Sequence, residues 1–476
     1  MLTFTLKVFL VRIVDLATLG VVSELELFAS TTLFLSRESI RLALLRAAPT
    51  SKSHQKSTNL AYLSLAIGTF AIAFYLVYSG ITGCLLVYSL ATWVELAAEP
   101  MYIQLQTQMM YGARTRIEAT AAISQCLTTV VICLFAMGNA GVSIEHGVLA
   151  YSIAQLVFSV VLFAGYVSQT GLLFFASVDG GWFDPLLLQI SFSFIGQMVL
   201  KHLLTVGDQI MMIWFGVSHL QKGSYRLVND LGSLVARIVF QPIEETLRTY
   251  FGQSLGSGQP KKEVRKESQK LLQIACRLNV VLAIYFVFFA TNYTDLLLYL
   301  LYSKRDAGTS TILGIYCLYV PVMGINGVTE AFVQAVGDAN MLKLQGFYMF
   351  ACWIAFTFIS ASLVTFGFGL SGLIIANIVN LGMRILFSIW CIRNYFGEFS
   401  VSDFFGIGDY KVWFLFACSW GLTRYTSTFN GGLTHQALHL FLGVVCFLHV
   451  SSRLYFSELD RTMTQLQKYH GISKQD

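Results

Sequence analysis

Charged residues are scarce in this sequence, and the motifs of common enzymes are missing. Only 12% of the 476 residues are charged and 55% are hydrophobic, whereas a soluble domain carries about 25% charged residues. The loops contain no GxSxG, P-loop, HExxH or acidic DxD pattern, so an intramembrane glycosyltransferase or phosphatase would lack its usual chemistry. We therefore expect a membrane protein that is not an enzyme and needs no cofactor.

Cysteines and histidines give no sign of a disulfide framework or a metal site. The nine cysteines lie mostly inside apolar runs without CxxC pairing, so we interpret them as small residues of the membrane core. His435 and His439 are spaced i, i+4, but no carboxylate or cysteine lies nearby to complete a metal site. The basic residues are spread over loops without interleaved aromatics, so we expect no nucleic-acid partner.

Long apolar runs fill almost the whole chain. A helix needs roughly 20 apolar residues to cross a bilayer, and runs of that length recur throughout. They predict an all-α polytopic membrane protein with about thirteen or fourteen transmembrane segments. The first run is only half a crossing, because Arg12 and Asp15 interrupt it. The predicted spans are 1–22, 24–46, 59–80, 82–106, 117–138, 147–169, 187–216, 224–252, 270–291, 308–336, 341–365, 370–396, 410–428 and 434–456.

The distribution of lysine and arginine predicts the orientation in the membrane. Loops that follow even-numbered spans hold most of the loop cations, among them Arg114, Arg116, Lys262 and Arg265. Cytosolic loops carry such an excess, so these loops and the C-terminus are predicted to be cytosolic. The sequon at Asn292 falls in a lumenal loop on this scheme, close to a helix end, and we favour a chance match over a glycosylated site.

Two short matches predict an internal repeat. LFLSRESIR at residues 33–41 resembles VFQPIEETLR at 239–248, and VELAAEP at 94–100 resembles GVTEAF at 327–332. Both matches join span n to span n+6, as expected for a six-helix bundle repeated in parallel orientation. The predicted domains are an N-terminal lobe at 1–180, a C-terminal lobe at 181–400, and two accessory helices with a basic cytosolic tail at 401–476.

Charged residues inside the predicted spans are the candidate functional residues. A charge at the bilayer centre costs roughly 2.5–3.5 kcal/mol, so each should face a cavity or a partner. Several arginines facing one cleft suit a phosphate or pyrophosphate, because arginine offers paired donors. Intrahelical pairing, salt bridges between lobes and snorkelling are the competing interpretations. The candidate headgroup-binding residues are Arg37, Arg41, Lys201, Arg237, Arg248 and Arg384, and the candidate cleft carboxylates are Glu38, Glu95, Glu99, Glu244, Glu245 and Glu330.

Three prolines interrupt spans that also carry intramembrane glutamates. Pro100, Pro242 and Pro321 each remove a backbone donor and can bend a helix. They are therefore candidate hinges, with a fixed packing kink as the equally weighted alternative.

The polar strings inside the spans resemble the Rft-one family of eukaryotic oligosaccharide translocation proteins. The resemblance rests on STTLFLSRESIR, VELAAEP, KHLLTVGDQ, GSLVARIVFQPIEETLR, YCLYVPVMGINGVTEAF and LIIANIVNLGMR, and it extends from about residue 30 to about residue 400. Members that resemble this chain begin some thirty residues earlier with a full first helix, so the first helix is expected to be truncated here.

That resemblance implies the fold of the multidrug, oligosaccharidyl-lipid and polysaccharide exporter superfamily, with two six-helix lobes in a V plus two further helices. It implies an endoplasmic-reticulum membrane protein that moves dolichol-pyrophosphate heptasaccharide to the lumenal leaflet for N-glycosylation. The partners would be this lipid, membrane lipids and, as candidates, the enzymes of N-glycan assembly. Two alternatives stay open: a non-transporting accessory protein of the same pathway, and a cation-coupled drug exporter of the same fold.

Overall fold

The regular elements of the protein are helices. The computed structural model describes residues 2–45, 53–108, 110–137, 142–175, 181–255, 262–302, 307–397, 410–427 and 433–472. Helices suit a chain that is apolar on all sides, because a helix satisfies its backbone hydrogen bonds within one segment and needs no water to do so. The described residues form two compact units, Met1–Arg226 and Leu227–Asp476.

The described residues of the first unit form eight complete helices and the beginning of a ninth. One of its core clusters combines Ile40, Leu44, Leu60, Leu105 and Tyr166, so the second, third, fifth and seventh helices pack together at one end. The helices are α1 (Leu2–Ile13), α2 (Leu16–Leu45), α3 (Ser53–Ser79), α4 (Gly83–Ala97), α5 (Glu99–Thr107), α6 (Tyr111–Phe135), α7 (Ile144–Thr170), α8 (Pro185–Trp214) and α9 (His219–Val235), within which the boundary between the units falls.

The second unit continues from α9 through a π-helical turn at Ala236–Phe240. One of its core clusters joins Phe251, Leu272, Phe332 and Ile392, and another joins Phe416 and Val450 with other residues. Its helices are α10 (Gln241–Leu255), α11 (Lys262–Phe288), α12 (Thr294–Tyr302), α13 (Ala307–Val336), α14 (Ala339–Leu363), α15 (Gly369–Phe396), α16 (Tyr410–Ser427) and α17 (Leu433–Ile472).

The membrane-spanning character of the chain is confirmed. Nine stretches of the described residues are long and apolar enough to cross a membrane, and one of them, 340–396, contains both α14 and α15. The predicted total of thirteen or fourteen spans stays a prediction, because several further segments are interrupted. The lobe boundary predicted at 180 also stays a prediction, and the boundary at 400 lies outside the described residues.

Two predicted boundaries are wrong. The first break falls between α1 and α2, near Asp15, and not at residues 22–24, because the Asp15 carboxylate accepts a hydrogen bond from the Leu16 N–H at 2.8 Å where α2 begins. Residues 292–307 are not simply a loop, since they contain α12. This helix is only nine residues long, too short for a periodicity search that looks for membrane crossings.

Helices α2 and α9 approach each other unusually closely within the first unit. A Cβ atom on Gly20 would lie 1.8 Å from the His219 carbonyl oxygen, and a Cβ on Gly223 would lie 1.8 Å from the Leu16 carbonyl oxygen. Small residues permit such backbone contact between membrane helices, where there is little hydrophobic driving force for association. Glycine is therefore required at both positions of this crossing.

Candidate functional site

A polar cavity of about 340 Å³ lies inside the first unit. Its wall combines two arginines, three carboxylates and two tyrosines with an apolar side. The lining residues are Arg37, Arg41, Glu95, Ala98, Glu99, Tyr102, Glu118, Phe158, Leu162 and Tyr166. Four of these, two arginines and two glutamates, are residues that the sequence marks as candidates.

Arg37 and Arg41 are held by Glu95 and Glu99. Arg37 donates from Nη1 to Glu95 Oε1 at 2.9 Å, and the same nitrogen lies 3.8 Å from Glu99 Oε2. Arg41 donates to Glu99 through Nε and through Nη2, the latter at 2.7 Å. Paired donors to one carboxylate make the Arg41–Glu99 contact the more rigid of the two.

The local sequence explains why these four side chains meet. Arg37 and Arg41 are one turn apart on α2 and therefore share a face. Pro100 has no N–H to donate to the carbonyl of Leu96, so the helix is interrupted at Ala98 and a new helix starts at Glu99. Glu99 thus lies in the first turn of α5, where the helix dipole favours a carboxylate.

A second polar group adjoins this cluster through Tyr102. The Arg41 guanidinium carbon lies 3.8 Å from the centre of the Tyr102 ring, and that of Arg114 lies 4.7 Å from it. Arg114 donates from Nε to Glu118 Oε1 at 2.8 Å, and the buried Tyr166 hydroxyl donates to the same oxygen at 3.2 Å. Cation–π contacts therefore link the two charged groups into one continuous site.

All of these residues lie toward one end of the unit. Arg41 is close to the end of α2, Tyr102 to the end of α5, Glu118 to the start of α6 and Tyr166 to the end of α7. Those ends adjoin loops that follow even-numbered spans, and the loops after the second and fourth predicted spans carry lysine or arginine. The cavity is consequently at the membrane end that the charge distribution predicts to be cytosolic.

The other two first-unit candidates lie apart from these contacts. Glu38 is half-buried on α2 and forms no ion pair with any residue that the structure describes. Lys201 is exposed on α8, with Nζ 6.0 Å from the centre of the Phe34 ring. Neither lines the cavity, so their part in binding stays a prediction.

In the second unit, Glu330 holds Arg384. Arg384 donates from Nη2 to Glu330 Oε2 at 2.6 Å, and Asn326 and Gln334 each donate to the same carboxylate at 3.0 Å. One face of α13 supplies the carboxylate and its two amide donors, because Asn326, Glu330 and Gln334 are spaced by four residues. The pair is a locked ion pair between α13 and α15.

Helix α10 carries three further candidates of the second unit, namely Glu244, Glu245 and Arg248. Arg248 pairs with Glu244 within the helix, and Glu244 lies against Gly327 of α13. Glu245 is exposed and accepts a hydrogen bond from Gln241 at 2.9 Å. These contacts are the intrahelical pairing that competes with a binding role.

Arg237 departs from its predicted geometry. Uninterrupted α-helical spacing predicts Arg237 on the same face as Glu244, but the π-helical turn adds a residue between them and shifts the face. Arg237 instead donates back to Ser233, from Nε to its carbonyl oxygen at 3.2 Å and from Nη2 to its hydroxyl at 3.1 Å.

The three prolines occupy different environments. Pro100 lies in the first turn of α5, directly after the interruption at Ala98. Pro242 follows the π-helical turn near the start of α10, whereas Pro321 lies inside the continuous helix α13. Two of the three thus adjoin a helix irregularity, and their role as hinges stays a prediction.

Sequence reasoning missed the polar contact between α2 and α9. Lys222 donates to Glu24 and Arg226 donates to Glu26, each at 2.7 Å. These residues flank Gly223, and the pairs join positions about 200 residues apart in sequence. Only the spacing of Lys222 and Arg226 by four residues could have indicated a shared face.

The side chain of the sequon asparagine is engaged in hydrogen bonds inside the fold. Asn292 is buried, and its Nδ2 donates to the Trp420 carbonyl oxygen at 3.1 Å and to the Thr423 hydroxyl at 2.8 Å. A glycan would be attached to this same nitrogen. We expect no glycan at Asn292, so endoglycosidase treatment should leave the electrophoretic mobility unchanged while it shifts a known glycoprotein in the same membranes. A mobility shift that Asn292→Gln abolishes would contradict this expectation.

Comparison with solved structures defines the class of protein. The chain is similar to the structure described as "Lipid II flippase MurJ, inward closed conformation", with a TM-score of 0.61, over 96% of this chain and 98% of that one. The sequences are 13% identical, so the likeness concerns the fold alone. The protein is an all-α polytopic membrane protein, as predicted, and its fold is similar to that of this structure.

Sequence comparison gives the family. The model of the family described as "Rft protein" matches residues 1–468, and the chain belongs to this family. Proteins named "Man(5)GlcNAc(2)-PP-dolichol translocation protein RFT1" are similar to it. That of Schizosaccharomyces pombe is 30% identical, covering 84% of this chain and 81% of that protein. That of Xenopus tropicalis is 27% identical, covering 99% of this chain and 94% of that protein. The resemblance seen in the sequence is confirmed.

Proposed function

We propose that this protein translocates Man(5)GlcNAc(2)-PP-dolichol from the cytosolic to the lumenal leaflet of the endoplasmic-reticulum membrane for protein N-glycosylation. The observation that carries the proposal is the first-unit cavity, in which Arg37 and Arg41 lie side by side. The names of the similar proteins supply the substrate. Moving a charged, sugar-bearing headgroup through hydrocarbon unaided is prohibitively unfavourable, so such a lipid needs a polar passage.

Arg37 is the principal phosphate donor in this proposal. Its Nη1 donates to Glu95, whereas its Nε and Nη2 have no hydrogen-bond partner among the described residues. Arg41 is occupied by Glu99 through two of its nitrogens. The pyrophosphate would bind the free donors of Arg37 first and contact Arg41 at its remaining nitrogen.

The carboxylates make the binding reversible. Glu95 and Glu99 compete with the phosphates for the same guanidinium groups, so bound ligand must replace carboxylate contacts that already exist. This competition lowers affinity, and a translocator requires that the ligand also leave. The polyprenyl tail would remain in lipid throughout.

The orientation belongs to the same proposal. With the cavity end toward the cytosol, the site faces the leaflet from which the lipid is taken, and the C-terminus is cytosolic. The enzymes of N-glycan assembly are proposed as partners on either side, since they supply the substrate and consume the product.

Arg37→Gln tests this function in liposomes that contain the purified full-length protein. Radiolabelled Man(5)GlcNAc(2)-PP-dolichol is followed by its accessibility to an impermeant lectin. We expect the rate of movement to fall about tenfold to a hundredfold, because a charge-assisted hydrogen bond contributes roughly 1.5–3 kcal/mol. Arg116→Gln is the matched control, since Arg116 is exposed on α6 and outside the cavity.

Two other outcomes would change the interpretation. Unaltered movement by Arg37→Gln would show that the headgroup site lies elsewhere. Headgroup binding without any movement by the unaltered protein would favour the accessory role over translocation.

A further inference from the structure

Glu118 is a carboxylate with one oxygen anchored and one oxygen open. Its Oε1 accepts hydrogen bonds from Arg114 at 2.8 Å and from the Tyr166 hydroxyl at 3.2 Å. Its Oε2 has no partner among the described residues, and the side chain lines the cavity with 41% of its surface exposed. Tyr166 is only 2% exposed, so the anchor itself is rigid.

The chemistry of this oxygen restricts what it can contact. An ionised carboxylate only accepts hydrogen bonds, and a pyrophosphate diester has no protons to donate at neutral pH. Glu118 therefore cannot bind the pyrophosphate that Arg37 and Arg41 attract. A ligand group at Glu118 must carry hydroxyl or amide N–H donors.

The charges around Glu118 fit a neutral, donor-bearing group. Arg114 compensates the carboxylate, so Glu118 adds little repulsion toward an anion bound a few ångströms away. Phe158 and Leu162 give the cavity an apolar wall against which the C–H face of a sugar ring can pack.

The size of the cavity limits how much of the headgroup it can hold. Its volume of about 340 Å³ is near the lower limit of pockets for small ligands, which span roughly 300–1,000 Å³. Seven sugars and a pyrophosphate far exceed such a pocket. The pyrophosphate and the one sugar joined to it are the part that fits.

We propose that Glu118 is a specificity-determining residue that accepts a hydrogen bond from the N-acetylglucosamine attached directly to the pyrophosphate, with Arg114 and Tyr166 as its positioning residues. This inference rests on the proposed function of the same cavity. It means that this cavity recognises the proximal end of the headgroup and does not distinguish lipids that differ only in their number of mannoses.

Binding of three lipids to the purified full-length protein in nanodiscs tests the inference. The lipids are dolichol pyrophosphate, dolichol-pyrophosphate-GlcNAc2 and Man(5)GlcNAc(2)-PP-dolichol. We expect the two sugar-bearing lipids to bind with similar affinity and more tightly than dolichol pyrophosphate. In Glu118→Gln the affinity for both sugar-bearing lipids should fall about tenfold, since a charge-assisted hydrogen bond is replaced by a weaker neutral one. The affinity for dolichol pyrophosphate should stay within about twofold.

Matched variants separate recognition from folding. Tyr166→Phe keeps the carboxylate but removes one of its two anchors, so the Glu118 oxygen is held less firmly. About a threefold loss confined to the sugar-bearing lipids is expected, because only part of the contribution of one hydrogen bond is lost. Glu145→Gln changes an exposed carboxylate in the first turn of α7, away from the cavity, and should bind all three lipids as the unaltered protein does. Arg37→Gln should lower the affinity for all three lipids by a similar factor.

The outcomes distinguish this inference from the function beneath it. If Glu118→Gln lowers the affinity for all three lipids equally, or for none of them, Glu118 does not recognise the sugar. The proposed pyrophosphate site is unaffected by that result. If excess phosphatidylethanolamine competes for the cavity as strongly as the dolichol lipids do, the cavity binds phospholipid headgroups. That result would overturn the proposal. If the unaltered protein binds none of the dolichol lipids, both the inference and the proposed function fail.

Discussion

Glu99→Gln is expected to lower the free energy of unfolding by about 3–5 kcal/mol, because it leaves the guanidinium of Arg41 buried without its counter-charge. Glu99 is 1% exposed and takes two hydrogen bonds from Arg41, whose side chain is 18% exposed. A glutamine oxygen can accept one of these hydrogen bonds but cannot compensate the charge. The thermal unfolding of the purified protein in detergent, followed by tryptophan fluorescence, measures the loss.

A double variant distinguishes the lost pair from general damage to the cavity. Arg41→Gln combined with Glu99→Gln removes both charges, so most of the stability should return, since a buried ion pair can often be replaced without cost. Glu38→Gln is the matched control on α2, because Glu38 is half-buried and forms no ion pair with the described residues. A double variant as unstable as Glu99→Gln alone would contradict this account.

The same variants separate stability from binding. The double variant should be folded yet weaker in binding the lipid, because Arg41 is gone. Arg37→Gln should also bind weakly, but with a smaller loss of stability than Glu99→Gln, since Arg37 donates one hydrogen bond to Glu95 where Arg41 donates two to Glu99. Two arginines on one helix face thus have different roles: Arg41 mainly orders the cavity and Arg37 mainly meets the ligand.

The sequence predicted part of this site from spacing alone. Arg37 lies four residues before Arg41, and Glu95 four residues before Glu99, so helical periodicity places each pair on one face. In the structure each of the two arginines pairs with a glutamate of the other set. Such a prediction works where both charges lie within long helical runs. It needs only the helical period and the cost of an unpaired charge in the membrane.

Other parts of the site were beyond the same reasoning. Arg114 and Glu118 occupy the first turns of α6. Charges there resemble those of a loop, so Arg114 serves only to predict the orientation and Glu118 is not among the predicted site residues. Tyr102 and Tyr166 belong to different helices, and their meeting at 6.0 Å between ring centres depends on tertiary packing. Arg237 was misplaced because a π-helical turn has no clear signature in sequence.

Gly223→Ala is expected to destabilise the protein by roughly 3 kcal/mol, although the same change usually stabilises a helix. The added Cβ would lie 1.8 Å from the Leu16 carbonyl oxygen and 2.7 Å from its carbonyl carbon. Both obstructing atoms belong to the backbone of α2, so no side-chain rotation can relieve the overlap. The two helices must move apart, and Lys222 and Arg226 then separate from Glu24 and Glu26.

Gly196→Ala provides the control with the opposite sign. Among the described residues, no atom beyond the neighbouring backbone of α8 lies within 4 Å of a Cβ at Gly196, so this variant should gain about 0.5–1 kcal/mol from lower backbone entropy in the unfolded chain. Gly20→Ala should resemble Gly223→Ala, because its Cβ would lie 1.8 Å from the His219 carbonyl oxygen. The two costs should not add in the double variant, since helices already separated by one methyl group have room for the other. If Gly223→Ala and Gly196→Ala unfold at the same temperature, the close crossing of α2 and α9 is not a feature of the folded protein.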